Sequence, residues 1–147
     1  MNPFLLPTSQ LLQVWKTVRD NMVNLEEKEQ ISSVVDFWSQ CPLATFAHDP
    51  EALDTYETPW EMMHRNDWCQ NSVAVGMEFT LRLGDFPSDK LIIKMIRDYD
   101  ASIQRLVVEI DGKYWLNYEH GTISPIPNTN FDVLEKWKFG KKRYERA

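Results

Sequence analysis

The chain has little cysteine, glycine or histidine, and no long apolar run. Two cysteines, Cys41 and Cys69, in 147 residues cannot staple a domain, which excludes a disulfide scaffold. Five glycines, none clustered, exclude a loop that cradles phosphates on backbone amides. Three histidines without paired metal-ligand spacing give no zinc site. His48, Asp49, Glu51, Asp54 and Glu57 form an acidic loop, but the glycine-punctuated spacing of a calcium loop is missing. That loop reads as solvated surface, and no cofactor or metal is expected. No stretch approaches the roughly 18 apolar residues of a membrane span. The first seven residues are broken by Pro3 and Pro7 and lack the charged start of a signal peptide, so the expectation is a soluble protein with free thiols in a reducing compartment. Positive charge is also short: 16 Lys and Arg face 22 Asp and Glu, a net charge of -6, which disfavours nucleic-acid binding by the whole surface.

Packing material is plentiful. Apolar residues make up 43% of the chain and aromatics 12%, with six tryptophans, enough for one domain spanning residues 1–147 around an ordinary core. Residues 1–7 read as an extended arm. Leu11, Val14, Trp15, Val18 and Met22 recur at helical spacing from Thr8 to about Asn24. Asn24-Leu25-Glu26-Glu27 suggests a capping box, and Ile31, Val34, Val35 and Trp38 carry a second helix that Pro42 stops. Thr58-Pro59-Trp60-Glu61 has a full helix-start signature, with Thr at the cap, Pro at the first position and Glu at the third. Asn66-Asp67 then offers a second start for a helix over Gln70–Leu83, ended by Gly84.

After Gly84 the period becomes two-fold. Leu91–Ile96 and Ile103–Ile110 read as strands, and Asp111-Gly112 as a two-residue turn into Lys113–Glu119. That turn pairs Ile110 with Lys113, Val108 with Trp115, Leu106 with Asn117 and Gln104 with Glu119. It puts Leu106, Val108, Ile110 and Trp115 on the core face, and Gln104 beside Glu119 where the apolar pattern lapses. Thr122–Ile126 can add a short edge strand, and Asn130 can cap a last helix over Phe131–Phe139. Residues 140–147 read as a frayed basic tail. The expected class is α+β: N-terminal helices, an antiparallel sheet of three or four strands and a C-terminal helix.

Cys69, near the start of its helix, is the residue best placed for chemistry, because a helix N-terminus favours a thiolate. The segment from Thr58-Pro59-Trp60-Glu61 to Cys69, and the hairpin Val107–Trp115, resemble the transglutaminase-like (papain-like) cysteine domains. The resemblance covers about residues 30–122. It implies a nucleophile at Cys69, with the histidine position on Gln104 and the aspartate position on Glu119. Gln104 cannot serve as a base, since an amide does not titrate near neutrality. His120, His64 and His48 are the remaining histidines; His120 could be swung inward by a bulge, and His64 lies close in sequence. Cys41, at a helix end, reads as structural. The chain also resembles small tailed-phage proteins that share the TPWE word, a downstream Cys and an LNYEHG strand end.

The missing base and the aromatic surface lead to the expectation of a non-enzymatic phage accessory or virion-associated protein that binds a protein partner in the host cytoplasm or virion, on a degenerate transglutaminase-like fold. The alternative is a cysteine-dependent hydrolase or acyltransferase, with Cys69 as nucleophile, His120 or His64 as base, Glu119 as orienting acid and Gln104 as oxyanion donor. Lys141, Lys142 and Arg143, interleaved with aromatics, offer a weaker nucleic-acid surface.

Overall fold

Each helical stripe finds a partner because α4 (Gln70–Leu83) is buried almost all round. The computed structural model describes residues 1–44 and 49–147. In it α4 runs through the centre, with Asn71 to Leu81 all buried. Helices α1 (Thr8–Met22) and α2 (Glu27–Trp38) pack on one side of it, and α3 (Pro59–Arg65) leads into it. The other side of α4 lies on a six-stranded antiparallel sheet. Its strands are β1 (Leu91–Asp98), β2 (Ile103–Ile110), β3 (Tyr114–Leu116), β4 (Ile123–Pro125), β5 (Phe131–Phe139) and β6 (Tyr144–Arg146), in the spatial order β4-β3-β2-β1-β5-β6.

Hydrogen bonds fix the helical layer to α4. Trp15 of α1 and Trp38 of α2 both donate their indole N–H to Thr80 Oγ1, at 2.9 and 3.0 Å. Thr80 in turn donates to the Gly76 carbonyl at 2.6 Å. Gly76 is glycine for space: a Cβ there would sit 2.4 Å from Trp38 Cη2. The N-terminal residues are no free arm. Phe4 is 1% exposed and packs on Phe37, Trp38 and Trp68, because a benzyl side chain left in water would forgo that burial. Asn2 donates to the Gln40 carbonyl, and the Phe4 carbonyl accepts from Asn66.

The α+β class holds, but the sheet has six strands rather than three or four, because both expected C-terminal segments pair as strands. The helix expected over Phe131–Phe139 is strand β5, paired with β1 from Ile93↔Trp137 to Asp98↔Phe131. Phe131, Val133, Trp137 and Phe139 satisfy a two-residue period, and the register shift between Met95 and Ile96 leaves Leu134 as an extra residue. Trp137 and Phe139 therefore join the core under α4, while Phe131 packs with Trp115 on the outer face. The tail does not fray either. Tyr144 is buried and donates to Glu78 Oε1 at 2.6 Å, and Arg82 holds both Glu78 oxygens. Burial beside that carboxylate pushes the Tyr144 phenol well above its ordinary range. Lys141, Lys142 and Arg143 sit exposed in the β5–β6 turn.

The hairpin register is also shifted. Asp111 and Gly112 take left-handed φ values of 53° and 65°, and Lys113 N–H bonds to the Ile110 carbonyl, as a tight turn requires. Lys113 then stays outside the ladder, and pairing resumes at Ile110↔Tyr114, Glu109↔Trp115 and Val108↔Leu116. One extra residue turns every side chain of the second strand over. Leu116, not Trp115, faces the core; Trp115 lies on the outer face, donating to Glu109 Oε1 at 3.0 Å beside the Lys94–Glu109 pair.

On that outer face, Asp98 is buried, which pushes its carboxyl up. The amides of Ala101 and Asp100, the Tyr118 hydroxyl and Arg105 outweigh burial and hold it below the usual carboxylate value. A depressed carboxyl stabilises above its unfolded value near 4 and loses that contribution as pH falls through the lower folded value. Asp98→Asn should therefore flatten the acid limb of a melting-temperature profile; an unchanged limb would remove Asp98 from the acid response. Thr80→Val should lower the unfolding free energy by about 2–4 kcal/mol in urea titrations, since it leaves two buried indole N–H groups unpaired.

Candidate active site around Cys69

Two capped helix starts bring Cys69 into the core. Thr58 and Glu61 close the expected capping box, with Thr58 N–H donating to Glu61 Oε1 at 3.1 Å. Asn66 ends α3 in the left-handed conformation, φ 51°, which asparagine tolerates. Trp68 then plunges inward against Trp38, with ring centroids 4.9 Å apart, and donates its indole N–H to Asn66 Oδ1. The Trp68 carbonyl accepts from Ala44 N–H at 2.7 Å, tying the chain after α2 to this bend. Cys69 comes next as the N-cap of α4 and is 1% exposed.

Ser72 is the residue that shapes the cap. Its Oγ accepts from Cys69 N–H at 2.9 Å, and its own proton has the Cys69 carbonyl at 3.0 Å and Sγ at 3.6 Å as acceptors. Cys41 and Tyr56 lie within electrostatic reach of the same thiol. Burial pushes both of their pKa values far up, and a negative charge on Cys69 adds to each. The Tyr56 hydroxyl donates to the Asp49 carbonyl at 2.9 Å.

A belt of amides joins the start of α4 to the hairpin. Asn71 Oδ1 accepts from Leu106 N–H at 3.0 Å. Gln70 Nε2 donates to the carbonyls of Asn117 and Tyr118 at 3.1 and 3.4 Å. Asn117 Nδ2 donates to the Gln70 carbonyl at 2.7 Å and reaches the Leu106 carbonyl at 3.4 Å. Asn117 is fully buried, with φ 69°, and its Oδ1 has no hydrogen-bond partner among the described residues.

The expected site residues divide. Gln104 pairs with Arg97 and shares the helix-facing side with Leu106, half-buried. Glu119 does not sit beside it: the shifted register and the end of β3 at Leu116 take the chain away, and Glu119 is exposed. His64 is exposed on α3. His120 is turned inward, with Nε2 3.0 Å from the Cys41 carbonyl. Its Nδ1 is buried and, among the described residues, has no partner. His48 lies outside the described residues. Sequence reasoning missed Ser72, Asn117 and Tyr56. Asn117 had one local signal, an asparagine ending an apolar strand where a left-handed residue is wanted.

No protein-family model matches the chain, and no curated protein matches it by sequence. Three solved structures of LapG from Legionella pneumophila match its fold. The calcium-bound form has a TM-score of 0.76 at 18% identity over 97% of this chain and 81% of that one. The EGTA-treated form and a third structure each have a TM-score of 0.75 at 19% identity, over 88% of this chain and 73% of theirs. This likeness of fold runs against the expectation of a non-enzymatic phage accessory protein, which is withdrawn. The matched protein is bacterial, and nothing in these matches ties the chain to a phage.

The two thiols should behave differently. Burial holds Cys41 in the protonated form, so iodoacetamide at about pH 8 should leave it unmodified in the native protein. Cys41→Ser should not change native incorporation measured by intact mass, whereas in urea the wild type should take up one alkyl group more than the variant.

Proposed function

We propose that this chain is a cysteine-dependent hydrolase or acyltransferase in which Cys69 is the nucleophile and His120 the general base. The observation that carries the reading is the position of Cys69, at the start of the central helix of a fold shared with LapG. His120 is preferred to His64 because its imidazole is drawn into the site through Cys41, while His64 faces solvent.

The chemistry rests on the groups present. Nδ1 of His120 takes the proton of the Cys69 thiol as Sγ attacks an acyl carbon, forming a C–S bond. The reading requires Nδ1 to come within hydrogen-bond reach of Sγ when substrate is bound. The tetrahedral oxygen collects negative charge, and the helix N-terminus with the Gln104 amide supplies positive dipole toward it. Collapse breaks the bond to the leaving amine or alcohol, which departs with the proton from Nδ1. Water, or another acceptor, then cleaves the thioester and restores the thiol. With Nε2 engaged by the Cys41 carbonyl and Glu119 exposed, orientation of the imidazole falls to that carbonyl.

One of the LapG structures is calcium-bound. Among the described residues no three His, Cys, Asp or Glu side chains converge, and α4 opens with the neutral amides Gln70 and Asn71. No step of the proposed reaction uses a metal.

The test uses p-nitrophenyl acetate as acyl donor, with nitrophenol release and intact mass as readouts. Wild type should form and turn over an acetyl adduct on Cys69, and Cys69→Ala should form none. His120→Ala should slow acetylation by about 10²–10⁴-fold, the usual worth of a general base, and His64→Ala should leave it within about two-fold. Equal acetylation of wild type and Cys69→Ala would sink the proposal.

A further inference from the structure

The position of His120 depends on its neighbour Gly121. Gly121 takes a left-handed φ of 78°, and a Cβ built on it would lie 3.0 Å from Ser39 Cβ and 3.5 Å from Ser39 Cα. The backbone after His120 is therefore pressed directly onto the C-terminal end of α2, with no room for a side chain between them. That close approach sets the imidazole beside Cys41, two residues beyond Ser39, with Nε2 at 3.0 Å from the carbonyl oxygen. A carbonyl only accepts, so Nε2 must carry the hydrogen in the neutral ring. Nδ1 is then the nitrogen with the free lone pair, and it is the ring atom that is buried without a partner among the described residues. A buried imidazole nitrogen left open in this way is costly unless something is meant to meet it.

We propose that Gly121 is a positioning residue: its contact with Ser39 holds His120 on the Cys41 carbonyl and fixes the tautomer in which Nδ1 is the base. The inference rests on His120 acting as the base of Cys69, but the tautomer itself is independent of any activity. The C-terminal end of α2 thus does the work usually done by an orienting carboxylate, with a backbone acceptor in place of a charge. Three features of the hairpin end serve this. Thr122 N–H and Oγ1 both bond to the Glu119 carbonyl, closing a turn around His120. Gly121 supplies the left-handed step that lets the turn close. The Glu119 side chain stays in solvent, so the hydrogen-bond partner of the ring is the Cys41 carbonyl rather than that carboxylate.

The experiment is nitrogen-15 NMR of histidine-labelled protein at about pH 8, combined with the acetylation assay. Wild-type His120 should show a protonated Nε2 and a bare Nδ1. Gly121→Ala should lose that signature and slow acetylation about ten-fold or more. Adding Ser39→Gly to Gly121→Ala removes the opposing Cβ but leaves the left-handed strain of alanine, so it should restore the signature and the rate in part. If Gly121→Ala does not fold, Ser39→Val presses the same contact from the exposed side of α2 and should disturb the tautomer in a folded protein. A wild-type His120 protonated on Nδ1 would overturn the proposal, as would variants that keep the wild-type signature and rate. A different pattern isolates the function itself: if the tautomer behaves as expected but His120→Ala acetylates at the wild-type rate, the positioning stands and the base assignment falls.

Discussion

One hydroxyl oxygen decides how the helical layer sits on the rest of the molecule. Thr80 Oγ1 accepts from the two buried indoles of α1 and α2 and donates to the Gly76 carbonyl one turn back. Apolar contact alone would let Trp15 and Trp38 slide, because the hydrophobic effect has no direction. Two N–H groups aimed at one oxygen have a direction, and an indole that missed it would be left unpaired in the core. The bare Cα of Gly76 lets Trp38 come close enough to reach. The residues just beyond Trp38 inherit this placement: Ser39, against which Gly121 packs, and Cys41, whose carbonyl meets His120. The geometry near Cys69 is thus set by a bond on α4 about three turns of helix from the thiol.

Where the fold was legible, the cause was local. The Thr58–Glu61 capping box, the apolar spacing of α1, α2 and α4, and the turn residues Asp111-Gly112 each act within a few positions of themselves, so the chain displays them directly. Register is a relation between two segments, and a single residue alters it. Lys113 can belong to the turn or the strand without changing any local preference, yet the choice exchanges Trp115 and Leu116 between the faces. The same holds for β5. Phe131, Leu134 and Trp137 fit a helical stripe as well as Phe131, Val133, Trp137 and Phe139 fit a bulged strand. The unpaired edge of β1 decides between them, and only the assembled sheet presents that edge.

The site divides along the same line. That Cys69 opens a helix is visible in its neighbours; the rest comes from far away in sequence, with Cys41 and Tyr56 within electrostatic reach of the thiol, Leu106 and Asn117 bonded to the first turn of its helix, and His120 on the Cys41 carbonyl. Polar residues there could be noticed as lapses in an apolar pattern, as Gln104 was, but the pairing needed to interpret them was off by one.

The amide belt bears on why an imidazole matters. Gln70, Asn71 and Asn117 satisfy the backbone groups where α4 meets the hairpin, and they do so without any charge. Carboxylates in those places would raise the cost of a thiolate at Cys69, since like charges oppose ionisation at close range in a low-dielectric core. Arginine or lysine would favour the thiolate but would hold it as a permanent ion pair, lowering its reactivity toward an acyl carbon. A neutral belt leaves the proton of Cys69 to be moved by a group that can both take it and return it. In the proposed reaction that group is His120, whose Nε2 meets the Cys41 carbonyl at the end of α2 and whose Nδ1 is left open by it.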